Sequence, residues 1–428
     1  MSPDSSRFSS PPLRMASVQC HYLTMQVIRL WQLPSNFFTL ASSQQWDVIE
    51  SITYPATAYP NASPRQRRTP CAISIQDDLL AVVFFLVTLG IPLVIAMSIV
   101  ASIVLQSLQL LGLTLAVSAI LAFHPLPRPP TSDMKGDWRR TRLSLALVRY
   151  FSMEVLIDRN DPLLKEVGTR AVQDSGVFFG KTNKAGNGTG KTDHDGISLP
   201  LVCLACPHGV FNYGAIIWCA ISQWFVGWEQ YTAAAPVIHH VPGLRYMNQL
   251  LWAEDAGRKS IQKVLRERCE VDVEGTYDEK RKFGGMLGIV PDGILGAFRC
   301  KGGVDELAIG PRRGLMRLCM EEGATVLAAW FFGTTDMLTV VQDPFGIMEY
   351  ASRKMQAGMM CFYGRWGLPV PRRIPVSLCV APYKCTKVDN PTKEEVDKVH
   401  DAVYGGLRRV YDEQKIYAGY PDRTLHIS

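Results

Sequence analysis

From Leu79 to Phe123 the sequence has no charged residue, a 45-residue run that follows Asp77-Asp78 and ends at His124. That length, with so few polar positions, excludes a helix of a soluble core. As one continuous helix it would measure about 67 Å, roughly twice a hydrocarbon core of about 30 Å. The segment therefore crosses twice, or it enters and leaves on one side. Gly90-Ile91-Pro92, the Gln106–Gln109 interval and Gly112 are the candidate breaks. A cleaved signal sequence is excluded, because the run starts too deep and continues too long. Arg65, Arg67 and Arg68 precede it, and Arg128, Lys135, Arg139, Arg140 and Arg142 follow it. Positive charge at both flanks places both on the cytosolic side, which predicts a membrane hairpin.

Other absences narrow the function. The net charge of +6 is modest, and the basic residues fall in short clusters, among them Arg312/Arg313 and Arg372/Arg373. No zinc-ligand spacing and no RNA-binding motif accompanies them, so nucleic acid is not expected as a partner. Such clusters suit anionic headgroups or a phosphorylated co-substrate, or are simply solvated. No metal site is expected. Eleven scattered cysteines form no disulfide framework and suit a reducing compartment. Cys203 and Cys206 make a C-x-x-C, but inside the apolar run Leu199–Cys206, which reads as a buried strand. The Gly186–Thr192 stretch imitates a phosphate loop, yet position 185, where the first glycine belongs, is alanine. Two glycosylation sequons, at Asn61 and Asn187, stay unmodified if they face the cytosol.

What is present divides into three. Residues 1–75 carry much of the Ser and Pro, show little periodicity, and read as a flexible N-terminal region. Residues 76–124 are the hydrophobic hairpin. Residues 125–428 make one catalytic domain, with 181–198 as a surface loop insertion. Within that domain Leu199–Cys206, Leu287–Val290, Thr325–Phe332 and Val376–Ala381 read as buried strands. Ala256–Arg268, Gly314–Glu322 and Thr392–Lys415 read as helices, the last with a capping box at Thr392 and Glu395 and an apolar stripe from Val396 to Val410. The alternation predicts an α/β domain with a mostly parallel sheet flanked by helices.

Histidines number only eight, and His208 has an unusual setting. Cys206-Pro207-His208-Gly209 ends a predicted strand, where active groups of open α/β sheets gather. Pro207 and Gly209 turn the backbone and expose the imidazole, which can take a proton near neutral pH. Context alone leaves a structural and a catalytic histidine both open. The stretch with Trp218, Trp224, Phe225 and Trp228 is an acyl pocket, an interfacial belt or ordinary core.

Pro-His-Gly resembles the His-Pro-His-Gly block of the type-2 diacylglycerol acyltransferase family. The likeness continues in order: Pro242-Gly243-Leu244-Arg245, Ala256-Gly257-Arg258-Lys259, Pro291-Asp292-Gly293-Ile294, Arg312-Arg313-Gly314-Leu315 with Glu322-Gly323-Ala324, Gly364–Pro369, and the ending Pro391-Thr392 to Tyr404. It covers the chain from about Trp138 onward. The resemblance implies a glycerolipid-acyltransferase-like fold and an acyl-CoA-dependent O-acyltransferase that esterifies diacylglycerol to triacylglycerol. A monoacylglycerol or wax-alcohol acceptor is the alternative. By the same analogy His208 is the general base, acyl-CoA is a co-substrate with no tightly bound cofactor, and the enzyme sits in the endoplasmic reticulum membrane with both termini cytosolic, or on lipid droplets. Arg312, Arg313, Arg258 and Lys259 are candidates for the phosphates of coenzyme A. A homo-oligomer is compatible with all of this.

Three departures stand out. The family's first histidine is Cys206 here, Asp292 replaces the first glycine of Pro-Gly-Gly, and Gly296 stands where many members have a glutamate. The His-x4-Asp pair of related glycerolipid acyltransferases is also missing, since Tyr213 takes the acid's place and Leu199–Trp228 holds no carboxylate. An acid beside His208 must come from elsewhere, with Asp292 preferred over Asp305 and Glu306 because it too follows a strand. The departures keep open a catalytically impaired lipid- or acyl-CoA-binding protein of the same fold.

Overall fold

The computed structural model describes residues 25–40, 42–55, 69–124, 141–158, 161, 200–226, 230–266, 268–271, 281–284, 286–341, 343–355, 358 and 360–428. The surface loop expected at 181–198, both sequons and the clusters at Arg65 and Arg139 lie outside them.

Nine strands form the main sheet: β1 Met25–Arg29, β2 Thr53–Pro55, β3 Glu154–Asp158, β4 Leu201–Cys206, β5 Gln230–Ala234, β6 Ala253–Asp255, β7 Met286–Ile289, β8 Thr325–Phe332 and β9 Ser377–Lys384. Their order is β2-β1-β3-β9-β8-β4-β7-β5-β6. The run β8-β4-β7-β5-β6 is parallel throughout, β9 is antiparallel to β8 and parallel to β3, and β1 is antiparallel to both its neighbours. The sheet is thus mixed, with a parallel half that carries the turn at His208. Cys203 and Cys206 sit in β4 as free thiols, three residues apart and so on opposite faces of the sheet.

Residues 25–55 correct one expectation. They supply β1, β2 and the helix α1 (Ser42–Ser51) rather than a wholly flexible region. Leu30, Leu33, Phe37 and Ile49 are buried in the same core as β3. Two short strands among Ser and Pro leave too weak a period to read.

The central strands are apolar along their whole length because both faces are covered. On one face pack α4 (Arg142–Tyr150) and α5 (Tyr213–Val226). On the other lie α7 (Arg258–Arg266), α9 (Gly314–Glu322) and α11 (Lys393–Gln414). The capping box of α11 forms as expected: Thr392 accepts from the Glu395 N–H and Glu395 accepts from the Thr392 N–H. Trp218 of α5 is ordinary core. Trp330 of β8 meets Tyr411 of α11 edge-on at 5.4 Å.

The charge-free run forms two packed helices, α2 (Ile75–Val104) and α3 (Leu108–Phe123). The break falls in the second predicted interval, where Gln106 adopts φ 50 and Ser107 caps α3 by accepting from the Leu110 N–H. Gly112 continues α3, and the Gly90 region is a π-turn, Leu86–Gly90, inside α2. Thr88, Ser102, Thr114 and Ser118 each donate their hydroxyl to a carbonyl of the preceding turn, so they offer no unpaired donor to the surroundings. Val94, Met97, Val100, Ile103, Val104, Leu105 and Leu108 are exposed.

Both ends of this pair are tied to the α/β domain. Near the start of α2, Asp77 receives Arg149 at 2.9 Å and Arg142 at 3.4 Å, and Asp78 receives both arms of Arg365 at 2.6 and 3.1 Å. At the far end Arg245 donates to the Leu121 carbonyl at 2.9 Å, and the Phe123 ring lies 5.8 Å from that of His240. Gly243, at φ +85, approaches α2 so closely that a Cβ there would stand 2.9 Å from the Thr88 carbonyl oxygen. Only glycine fits that contact.

Candidate active site

β7, β4 and β8 are adjacent and parallel, with Ile289 level with Leu204 and Trp330 level with Cys206. Their C-terminal ends deliver three turns to one place: Pro291-Asp292 after β7, Pro207-His208-Gly209 after β4, and Gly333-Thr334 after β8. Gly209 has φ +60, and a Cβ on it would stand 3.4 Å from the Thr334 carbonyl oxygen. The glycine allows the left-handed turn and the close approach of the two loops.

Asn212 holds this turn. Its Nδ2 donates to the carbonyls of Ala205 and Pro207 at 3.1 and 3.2 Å, and its Oδ1 accepts from the Ala215 N–H at 2.8 Å. One buried amide thus caps α5 and fastens the end of β4 to it. Sequence reasoning missed Asn212, although an asparagine just ahead of an apolar helix is a recognisable N-cap signal.

His208 is half-buried, and its Nδ1 lies 3.0 Å from the Gly209 carbonyl oxygen. A carbonyl can only accept, so that contact puts a proton on Nδ1, and in the neutral ring Nε2 then carries the lone pair. Of the three candidate acids, Asp292 reaches His208. Its Oδ2 accepts the His208 main-chain N–H at 3.0 Å. The contact steadies the backbone that carries the imidazole. Asp292 is fully buried, and that burial raises its pKa, opposed by its interactions with His208, the accepted main-chain N–H among them. Arg312 donates to the carbonyls of Pro291 and Asp292 at 3.0 and 2.9 Å, so it binds the same turn.

Asp305 and Glu306 serve elsewhere. Asp305 receives Arg423, Tyr411 and Thr335 in a buried network, while Glu306 pairs with Arg299 at 2.8 Å. The phosphate candidates also separate. Arg313 is held by Asp397 at 2.6 Å and by His400 Nε2 at 2.9 Å, and Arg258 pairs with Glu321. Arg312 is the one whose guanidinium lies at the Pro291-Asp292 turn; Lys259 stands beside Arg258 in the first turn of α7. Cys206 is buried, and burial first, then the Asp292 charge, pushes its thiol well above the usual range. It stays a neutral thiol in the core. Among the described residues no cluster of His, Cys, Asp and Glu could hold a metal ion.

Comparison with known proteins identifies the family. A family model described as Diacylglycerol acyltransferase matches residues 201–428, just over half of the chain, including the ends of β4, β7 and β8. The chain belongs to the diacylglycerol acyltransferase family. Similar members include human acyl-CoA wax alcohol acyltransferase 2, 28% identical over 236 residues, which cover 51% of this chain and 66% of that protein. Diacylglycerol O-acyltransferase 1 of Eremothecium gossypii is 27% identical over 52% of this chain and 48% of its own. Bovine 2-acylglycerol O-acyltransferase 1 is 24% identical over 52% and 67%. The chain thus spans two thirds or less of the length of most of these relatives. A solved 1-acyl-sn-glycerophosphate acyltransferase from Thermotoga maritima aligns with 78% of this chain and 97% of its own at 12% identity and a TM-score of 0.30, too distant to add to the argument.

Proposed function

We propose that this family member is a membrane-embedded enzyme that transfers an acyl group from acyl-CoA to the free hydroxyl of diacylglycerol. The observation that carries the reading is the His208 turn, with Nδ1 engaged by a carbonyl and Nε2 left to accept a proton. His208 Nε2 takes the hydroxyl proton while the oxygen attacks the thioester carbonyl. The tetrahedral oxyanion then collapses, the C–S bond breaks, and the coenzyme A thiolate takes the proton back from the imidazolium. The products are an ester and free coenzyme A. Arg312, at the rim of the Asp292 turn, is the favoured phosphate contact, since Arg258 and Arg313 are already paired.

The membrane part of the proposal is that α2 and α3 enter and leave the bilayer on the same side. Arginine contacts from the α/β domain near both outer ends support it. Continuous with that reading, the enzyme resides in the endoplasmic reticulum membrane with both termini cytosolic, and reaches lipid droplets, where hairpins fit a single leaflet.

A long-chain alcohol or monoacylglycerol acceptor is the second reading, favoured by the similarity to a wax alcohol and a 2-acylglycerol acyltransferase. Expression in cells that make no storage lipid tests both. Wild type restores triacylglycerol and His208→Ala does not; wax ester made only when fatty alcohol is fed favours the second reading. No ester from any acceptor rules both out.

A further inference from the structure

Asp292 and Gly296 stand one helical turn apart at the start of α8 (Gly293–Arg299). A Cβ built on Gly296 would lie 2.0 Å from Asp292 Oδ2, 2.4 Å from its Cγ and 2.9 Å from its Cβ. No side chain tolerates such contacts, so the space that a residue at 296 would enter is the space the 292 carboxylate fills. That carboxylate is fully buried, its Oδ2 accepts the His208 N–H, and its Oδ1 has no hydrogen-bond partner among the described residues. A buried, half-satisfied carboxylate does not stabilise a core, which points to a role in the site.

We propose that positions 292 and 296 share one carboxylate seat beneath the Pro207-His208-Gly209 turn, filled in this chain from 292, with Gly296 the residue that makes room for it. Asp292 is a positioning residue. It fixes the His208 backbone and sets a negative charge near the imidazole, which favours the imidazolium that forms during transfer. Asp292 and Gly296, two separate departures in the sequence, become one exchange: an acid moved by one helical turn, and a glycine moved the other way. A glutamate at 296, one methylene longer, can deliver its carboxylate to the same seat once position 292 is emptied. For its kinetic consequences the inference rests on the acyltransferase reading; for its packing consequences it does not.

Four variants in membranes test it: Asp292→Gly, Gly296→Glu, the double variant carrying both, and Asp292→Asn. Acyl transfer from labelled acyl-CoA is measured against pH, and thermal unfolding is measured alongside. Each single glycine or glutamate exchange is expected to lower acyl transfer by about tenfold or more, and the double variant to recover most of that loss. Gly296→Glu lowers the melting temperature and the double variant restores it. Asp292→Asn keeps the shape and the bond to the His208 N–H but loses the charge, so the acidic limb of its pH profile shifts while its melting temperature does not fall. A double variant no better than the worse single in both assays overturns the shared seat. An Asp292→Asn enzyme with wild-type rate and pH profile overturns the positioning role. If wild type itself transfers no acyl group, the acyltransferase reading fails, and the melting temperatures alone decide the shared seat.

Discussion

Arg149 Nη1 stands 2.9 Å from Asp77 Oδ2, joining α4 of the α/β domain to the first turn of α2. The Asp77 side chain is only 3% exposed, and the same guanidinium also donates to the Leu33 carbonyl at 2.6 Å. One arginine therefore links the N-terminal segment, the hairpin and the domain core. Arg149→Ala leaves a buried carboxylate with only the Ser74 hydroxyl and the weaker Arg142 contact, and is expected to cost about 3 kcal/mol. Urea unfolding of detergent-solubilised protein measures it. The more exposed Arg365–Asp78 pair is expected to contribute about 1 kcal/mol or less.

Asn212→Ala should remove the clasp between β4 and α5. The Ala205 and Pro207 carbonyls lose their donor and α5 loses its cap, so a loss of about 1–3 kcal/mol is expected. Activity should fall further than stability explains, because the His208 turn is freed. Measuring rate at a temperature where the variant is still fully folded separates the two. A variant with unchanged rate there would show that the clasp does not position His208.

His400 gives a pH dependence whose sign can be worked out. Burial lowers its pKa, and the Arg313 donor at 2.9 Å requires Nε2 to be an unprotonated acceptor. The unfolded chain takes up a proton near pH 6.5, and the folded chain does so only at lower pH. The stability held above that pH is therefore lost as the pH falls below about 6.5 toward the depressed folded value. His400→Gln should flatten this part of the stability curve. Denaturation midpoints at pH 5.5 and 7.5 check it.

The proposed entry and exit of α2 and α3 on one side of the membrane predicts the position of both termini. With tags at each end of the chain in sealed microsomes, protease should remove both tags without detergent. Protection of a single tag would exclude entry and exit on one side.

The parts of this architecture that could be read in advance are those where one local pattern decides the outcome. β8 and α9 have the boundaries their apolar runs and flanking glycines predict, and α11 begins at its capping box. β4 and β7 were legible because burial on both faces leaves no polar alternation. β1, β2 and β3 were not, because five residues such as Glu154–Asp158, polar at each end, carry no period of their own. At the site, His208 stood out by its turn, whereas the partners of Arg258 and Arg313 did not. Glu321, Asp397 and His400 claim those arginines across tertiary contacts that no local pattern announces. Gly296 looked like a missing acid and gains its physical reason only when the Asp292 side chain is in place.

The central claim is that His208 Nε2 carries the proton in acyl transfer. The most direct test is the rate of ester formation from labelled acyl-CoA and diacylglycerol in membranes holding wild type or His208→Ala at equal, folded levels. The rate should fall by about 10²- to 10⁴-fold, with an unchanged melting temperature. An equal rate in the two proteins would contradict it.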